Sequence, residues 1–335
     1  MITEAITLSR HVLNDEKMHP EATGEFSALL VQVGYAAKLL AREISRAALI
    51  GKLGLVGEKN PTGDAQKKLD VYANETVVDA FAHTGLVAAI VSEEMEKVKQ
   101  VAGAEEAKYI LCTDPLDGSS NTDINGSVGT IFGIYRRKKS GPIDPVSEVL
   151  RRGAEMVAAG YVMYGTSTVL VYACGHGVFG FTLDREVGEF LLSHDNIQCP
   201  PRGHYYSANV ARLPDWHPNV QKYVHYLTER DPHTGRPYSL RYTGALVADV
   251  HRSLVEGGIY FYPGDTSYKD GKLRLVYECS PVAYLVEAAG GRASTGTESV
   301  VGIQPHDIHQ RTAFVIGSAL DVEQYETFLR TGGPG

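Results

Sequence analysis

Two runs of apolar residues, 86–91 and 109–112, are each too short to span a bilayer, and each ends on acidic side chains. The first stops at Ser92-Glu93-Glu94 and the second at Asp114. Continuous apolar runs of this length read as strands buried on both faces. A buried strand with a carboxylate just beyond its C-terminal end narrows what the chain can be. Layered α/β sheets gather ligands at that edge, and adjacent carboxylates held there need a cation.

The surrounding pattern is that of a mixed α/β chain. Phe26, Leu29, Leu30, Val33, Ala37, Leu40, Ala41 and Ile44 recur at helical spacing within residues 25–49. Leu69, Tyr72, Ala73, Thr76, Val77 and Ala80 do so again before Gly85. Strand patterns follow over 127–135, 156–163, 166–174, 178–183, 189–192 and 259–262, and helical ones over 218–229, 244–256 and 273–289. Pro281 should kink or restart the last of these. A length of 335 residues predicts two lobes, and Cys199-Pro200-Pro201-Arg202-Gly203 places the boundary, giving lobes 1–198 and 199–335.

Composition removes several classes of function. The net charge of −8 leaves no basic surplus for nucleic-acid binding. Four cysteines without CxxC spacing read as free thiols in a reducing compartment. Residues 1–10 lack the layout of a secretory leader, and no apolar run spans a membrane, so the expected location is the cytoplasm. No G-x-G-x-x-G follows the first strand, which argues against a dinucleotide-dependent oxidoreductase. The twelve histidines show no metal-ligand spacing, and His309 is read as structural.

The octet Asp114-Pro115-Leu116-Asp117-Gly118-Ser119-Ser120-Asn121 carries the most chemistry. Pro115 predicts a turn immediately after the strand, bringing Asp114 and Asp117 to one side with the Leu116 carbonyl. Such hard oxygen donors suit Mg²⁺ or Mn²⁺. Gly118-Ser119-Ser120 then offers successive N–H groups as an anion nest. Any D-x-x-D-G taken alone is commonly just a polar turn. Its pairing with Glu93-Glu94 at a second buried strand end favours metal-assisted phosphate hydrolysis.

The octet resembles the signature of class I fructose-1,6-bisphosphatases, and Gly271-Lys272-Leu273-Arg274-Leu275-Val276-Tyr277-Glu278-Cys279 resembles that family's second hallmark. The similarity extends from about Thr23 to Asp307-Ile308-His309-Gln310-Arg311. It implies a layered α/β/α/β/α sugar-phosphatase fold with two mixed sheets, in a gluconeogenic homotetramer. It implies two or three Mg²⁺ or Mn²⁺ ions on Glu93, Glu94, Asp114, the Leu116 carbonyl, Asp117 and Glu278. Asp70 and Glu94 would orient or deprotonate the attacking water, and Asp64 would sit on a closing loop. Without the resemblance, Asp64 and Asp70 are ordinary acids of a first helical turn.

The same resemblance assigns the substrate's far phosphate to Asn209, Tyr242, Tyr262 and Lys272, with Arg241 entering from a neighbouring subunit. A tyrosine common in the family shortly after the Asn209 position is missing, and Arg212 is the expected substitute. Thr23, Gly24, Glu25 and Ser27, at the start of the first long helix, would bind inhibitory AMP with Lys108, Tyr109 and Arg136. A sedoheptulose-1,7-bisphosphatase or a broader inositol or sugar phosphatase shares the Asp-Pro-Leu-Asp-Gly core. A non-catalytic Ca²⁺ protein is the reading of a different class. Phosphate release that depends on Mg²⁺ separates that one from the rest.

Overall fold

The computed structural model describes residues 5–17, 23–63, 65–139, 141 and 144–334. Helices α1 (Leu8–Glu16) and α2 (Glu25–Ile44) lead into a hairpin of β1 (Leu55–Lys59) and β2 (Ala65–Lys67), then α3 (Lys68–Phe81). Eight strands form the first sheet: β3 (Val87–Ser92), β4 (Lys99–Gln100), β5 (Tyr109–Asp117), β6 (Val128–Arg136), β7 (Met156–Tyr164), β8 (Thr168–Ala173), β9 (Val178–Asp184) and β10 (Glu189–His194). Their order is β10-β9-β8-β7-β6-β5-β3-β4, antiparallel except where β3 meets β5. A short helix, α4 (Pro145–Val149), precedes β7.

The second half contributes β11 (Tyr205–Ser207), α5 (Pro218–Thr228), β12 (Ser239–Leu240), α6 (Leu246–Glu256) and β13 (Ile259–Tyr262). After these come β14 (Leu273–Arg274), α7 (Ser280–Ala288), β15 (Arg292–Ser294), β16 (Arg311–Thr312), β17 (Phe314–Gly317) and α8 (Ala319–Thr331). The second sheet runs β12-β11-β13-β17-β15 and is also mixed.

Period-two alternation sorts the strands into five layers. On the first sheet Phe132, Val162 and Leu170 pack under α1, α2 and α3. Their neighbours Ile131, Tyr161, Val169 and Val171 face α6 and α7. On the second sheet Tyr260, Phe314 and Ile316 close that middle layer from the other side, while Ile259, Phe261 and Val315 point outward to α5 and α8. The result is the α/β/α/β/α arrangement that the family resemblance implies. No helix among the described residues is long and apolar enough to cross a membrane. The four cysteines are free and buried, and burial pushes the Cys112 and Cys174 thiols up to about 12.

Three local expectations are corrected. The helix of residues 25–49 ends at Ile44, because Leu49 and Ile50 are exposed and no apolar face continues; the Ser45 hydroxyl donates to the Arg42 carbonyl there instead. Residues 273–289 are not one helix. They are a strand, a π-helical turn (Leu275–Cys279) and then α7, with Pro281 in its first turn. The chain also does not turn at Pro115. Strand β5 runs on to Asp117, its partners shifting from Asp114↔Ile131 to Asp117↔Gly129. Three steps on β5 against two on β6 make a bulge, a place where a residue lacking N–H costs the ladder nothing.

Candidate active site

Parallel pairing of β3 with β5 sets Ser92 opposite Thr113. The residues that follow, Glu93 and Asp114, therefore emerge at the same sheet edge, and the Glu93 N–H donates to the Thr113 carbonyl at 3.3 Å. The β5 bulge is held by the Leu116 N–H on Asp114 Oδ1 (3.0 Å) and by the Thr130 hydroxyl on the Pro115 carbonyl (2.8 Å). It brings Asp117 back to the side of Asp114. Glu278 arrives from the second half on the π turn, an irregularity often found at functional sites. One carboxylate oxygen from each of Asp114, Asp117 and Glu278 lies within 4.8 Å of the others.

All three acids are buried. Burial, then the charges of Glu93, Asp117 and Glu278, pushes the Asp114 carboxyl well above the usual carboxylate range. Burial raises Asp117 to about 6, although it accepts the Leu246 and Val247 N–H groups (3.1 and 2.7 Å) at the start of α6. Glu278 is raised to about 7 by burial, against the opposing pull of Arg274, whose N–H it accepts at 2.6 Å. Packing three acids this tightly disfavours their charged forms, and a hard divalent cation bound by oxygen donors reverses that cost. The donor set fits such an ion.

The three acids line a cavity of about 390 Å³ together with Asp70, Glu93, Glu94, Leu116, Gly118, Ser119 and Ser120. Asp70 sits in the first turn of α3 and accepts the Lys67 N–H at 2.7 Å, as an ordinary helix-start acid would. It is nevertheless buried and raised to about 6, first by desolvation, with the Glu94 charge adding to it. Glu94 accepts from Asn60 at 3.4 Å and from the Gln66 amide. Gly118, at φ 73°, turns the chain into a 3₁₀ segment (Ser119–Ile124), whose leading N–H groups have no carbonyl ahead of them in the turn. Asp64 lies outside the described residues.

Tyr242, Tyr262 and Lys272 line the far side of the cavity; Asn209 and Arg241 are not part of its lining. Asn209 caps the start of a 3₁₀ segment (Val210–Asp215). Arg241 donates to the Leu240 carbonyl, with its guanidinium 5.7 Å from the Tyr205 ring. Arg212, the expected substitute for the missing tyrosine, is not part of the cavity's lining. It is held by Asp265 (2.8 Å) and donates to the Ser267 hydroxyl. Lys67 and Arg274 are cationic lining groups to which sequence reasoning gave no role. Lys67 Nζ pairs with Asp123 at 2.8 Å, while Arg274 and Arg311 both donate to the Thr62 carbonyl. Arg274 lies inside the 271–279 stretch already singled out, and Lys67 directly precedes α3, which carries Asp70.

A second cavity of about 390 Å³ opens at the start of α2. Thr23, Gly24, Ser27, Lys108, Tyr109 and Arg136 line it; Glu25 does not, and pairs with Lys108 at 2.9 Å. The N-cap of this 20-residue helix is Gly24, whose missing side chain leaves the first N–H groups open.

The family model described as Fructose-1-6-bisphosphatase, N-terminal domain, matches residues 6–195, and its C-terminal counterpart matches residues 199–330. Fructose-1,6-bisphosphatase class 1 2 of Acaryochloris marina is 56% identical over 97% of this chain and 98% of its own length. The class 1 enzyme of Chlorobium luteolum is 49% identical over 98% of each. The holo crystal structure of Leishmania major fructose-1,6-bisphosphatase superposes with a TM-score of 0.91 at 38% identity, covering 98% of this chain and 99% of that one. Its T-state structure gives 0.87 at 35% identity, covering 97% and 99%. Fold, motif order and near-complete coverage agree, and the chain belongs to the class 1 fructose-1,6-bisphosphatase family.

Proposed function

We propose that this protein hydrolyses the 1-phosphate of D-fructose 1,6-bisphosphate, releasing fructose 6-phosphate and inorganic phosphate. The observation that carries this reading is the convergence of Asp114, Asp117 and Glu278, from both halves of the chain, beside the Gly118–Ser120 turn. Glu93, Glu94 and the Leu116 carbonyl complete a donor set for two or three Mg²⁺ ions, or Mn²⁺. Bound there, such ions supply Lewis-acid charge to the phosphoryl group and to the attacking water.

The chain's own groups do the rest. The N–H groups and hydroxyls of Gly118, Ser119 and Ser120 cradle the 1-phosphate. Asp70 and Glu94 orient the water and take its proton; a carboxyl raised to about 6 suits a base working near neutrality. Asp64 belongs to the same assignment. Lys272, Tyr242, Tyr262 and Asn209 hold the far phosphate, together with Arg241 of a neighbouring subunit in a homotetramer. Residues 1–198 form the metal and effector lobe and residues 199–335 the substrate lobe. The cavity at α2 is assigned to AMP as an inhibitor that favours an inactive tetramer, in the cytoplasm.

The test is phosphate release from a panel of sugar bisphosphates and monophosphates, with Mg²⁺ and with chelator. Fructose 1,6-bisphosphate should give the highest kcat/KM and lose its turnover in chelator. A higher value for sedoheptulose 1,7-bisphosphate would move the substrate assignment. Full activity at millimolar AMP would end the effector assignment.

A further inference from the structure

The side chain of His309 joins the two acidic ends of the site without touching either. On one side its Nδ1 lies 2.8 Å from the Tyr277 hydroxyl, and the two rings meet edge to face at 5.8 Å and 74°. Tyr277 is fully buried and directly precedes Glu278. On the other side the ring faces the carbonyls of Met95 and Glu96, the residues that follow Glu94. Nε2 is buried there with no hydrogen bond of acceptable geometry. The stretch that carries the ring is itself anchored. The His309 N–H donates to Asp307 Oδ1 at 2.7 Å, and the Gln310 carbonyl accepts the Leu275 N–H at 2.7 Å, at the start of the π turn. Ile308 packs on the cluster that holds Ala89 and Val91 of β3 together with Tyr277.

A neutral imidazole has one donor and one acceptor. Two carbonyls in front of Nε2 place the proton on that nitrogen, so Nδ1 accepts from the Tyr277 hydroxyl. A buried donor with two carbonyls before it and no well-formed bond to either is a costly arrangement, and a small movement of the 93–96 turn tightens one of these contacts.

We propose that His309 is a positioning residue, spacing the Glu93–Glu94 turn from Glu278 through Tyr277, and that its Nε2–H closes on the Met95 or Glu96 carbonyl when a divalent cation binds. This rests on the metal reading of the site above. Groups behind metal ligands commonly alter affinity by about tenfold or more when removed.

The experiment is calorimetric titration of Mg²⁺ into the chelator-treated full-length wild type, His309→Ala, His309→Gln and Tyr277→Phe, with ¹⁵N-histidine NMR of the wild type. His309→Ala should weaken Mg²⁺ binding about tenfold, while KM for fructose 1,6-bisphosphate at saturating Mg²⁺ changes less than about twofold. His309→Gln should recover most of the affinity by restoring an N–H donor, and Tyr277→Phe should lose part of it. The His309 Nε2 proton should move downfield as Mg²⁺ is added. Unchanged Mg²⁺ affinity in His309→Ala, or a proton resonance indifferent to Mg²⁺, overturns the proposal and leaves the site reading intact. If the alanine variant does not fold, the glutamine variant and the wild-type resonance decide. A wild type that binds no Mg²⁺ overturns the metal reading and this inference together.

Discussion

Asp114 shows how one residue can be unfavourable for the fold and necessary for the chemistry. It is buried, faces the charges of Glu93, Asp117 and Glu278, and gains the Leu116 N–H in return. Asp114→Asn keeps the shape and removes the repulsion. The expected result is a metal-free protein whose Tm rises by a few degrees, with kcat lower by about 10²–10³-fold, since removing several kcal/mol of charge stabilisation costs a decade per 1.36 kcal/mol. Thermal melts in chelator and steady-state assays in Mg²⁺ check the two halves of that statement. A fall in both Tm and kcat would mean that the carboxylate serves the fold. Arg212 is the opposite case. Its charge is bound to Asp265, so Arg212→Ala should leave KM for the bisphosphate within about twofold and lower the denaturant midpoint only slightly, readable in denaturant melts.

At the scale of elements, the site depends on how closely the start of α6 approaches the first sheet. A Cβ on Gly118 would collide with the Cβ of Ala245, and one on Gly129 would lie 2.6 Å from Val247. Gly118 also holds φ 73°, where an L side chain is strained. Gly118→Ala should therefore lower stability by about 1–3 kcal/mol and reduce kcat by pulling the Asp117 carboxylate off the Leu246 and Val247 N–H groups. Denaturant melts and turnover measure each effect, and a variant unaltered in both would show that α6 can retreat freely. Local pattern was enough to read β3 and β5 and the acids at their ends, because burial on both faces leaves an uninterrupted apolar run. The continuation of β5 past Pro115 was not legible, since a bulge depends on register with β6, which no single segment encodes. Glu278 became a partner of Asp114 only through family resemblance, because a π turn far along the chain leaves no local signature. The Arg212–Asp265 pair was hidden for the same reason: the partner is distant in sequence and near only in the fold.

For the whole molecule, the acids of the site come from both of its halves, which the apolar middle layer joins. Asp114 and Asp117 belong to the first sheet, and Glu278 is carried by the second half into the middle layer. With no cation bound, Asp117 is held at about 6, Glu278 at about 7 and Asp114 well above its ordinary value, so the folded state holds protons that the unfolded chain releases near pH 4. A raised carboxylate pKa contributes stability that is fully present below the unfolded value and is lost as pH rises through the folded value. Metal-free protein should accordingly lose Tm steadily between about pH 4.5 and pH 7.5. Mg²⁺ binds the deprotonated acids, so it should restore stability at pH 7.5, by about 2.7 kcal/mol at a hundredfold excess over its Kd, and do little at pH 4.5. Scanning calorimetry across that range, with Mg²⁺ and with chelator, makes the comparison. Parallel curves, separated by a constant Tm at every pH, would mean that the cation acts elsewhere than on these three carboxylates. Convergence at low pH would place the link between the two halves on the acids themselves, with hydrogen exchange in β5 and in the 275–279 turn slowing together as Mg²⁺ is added.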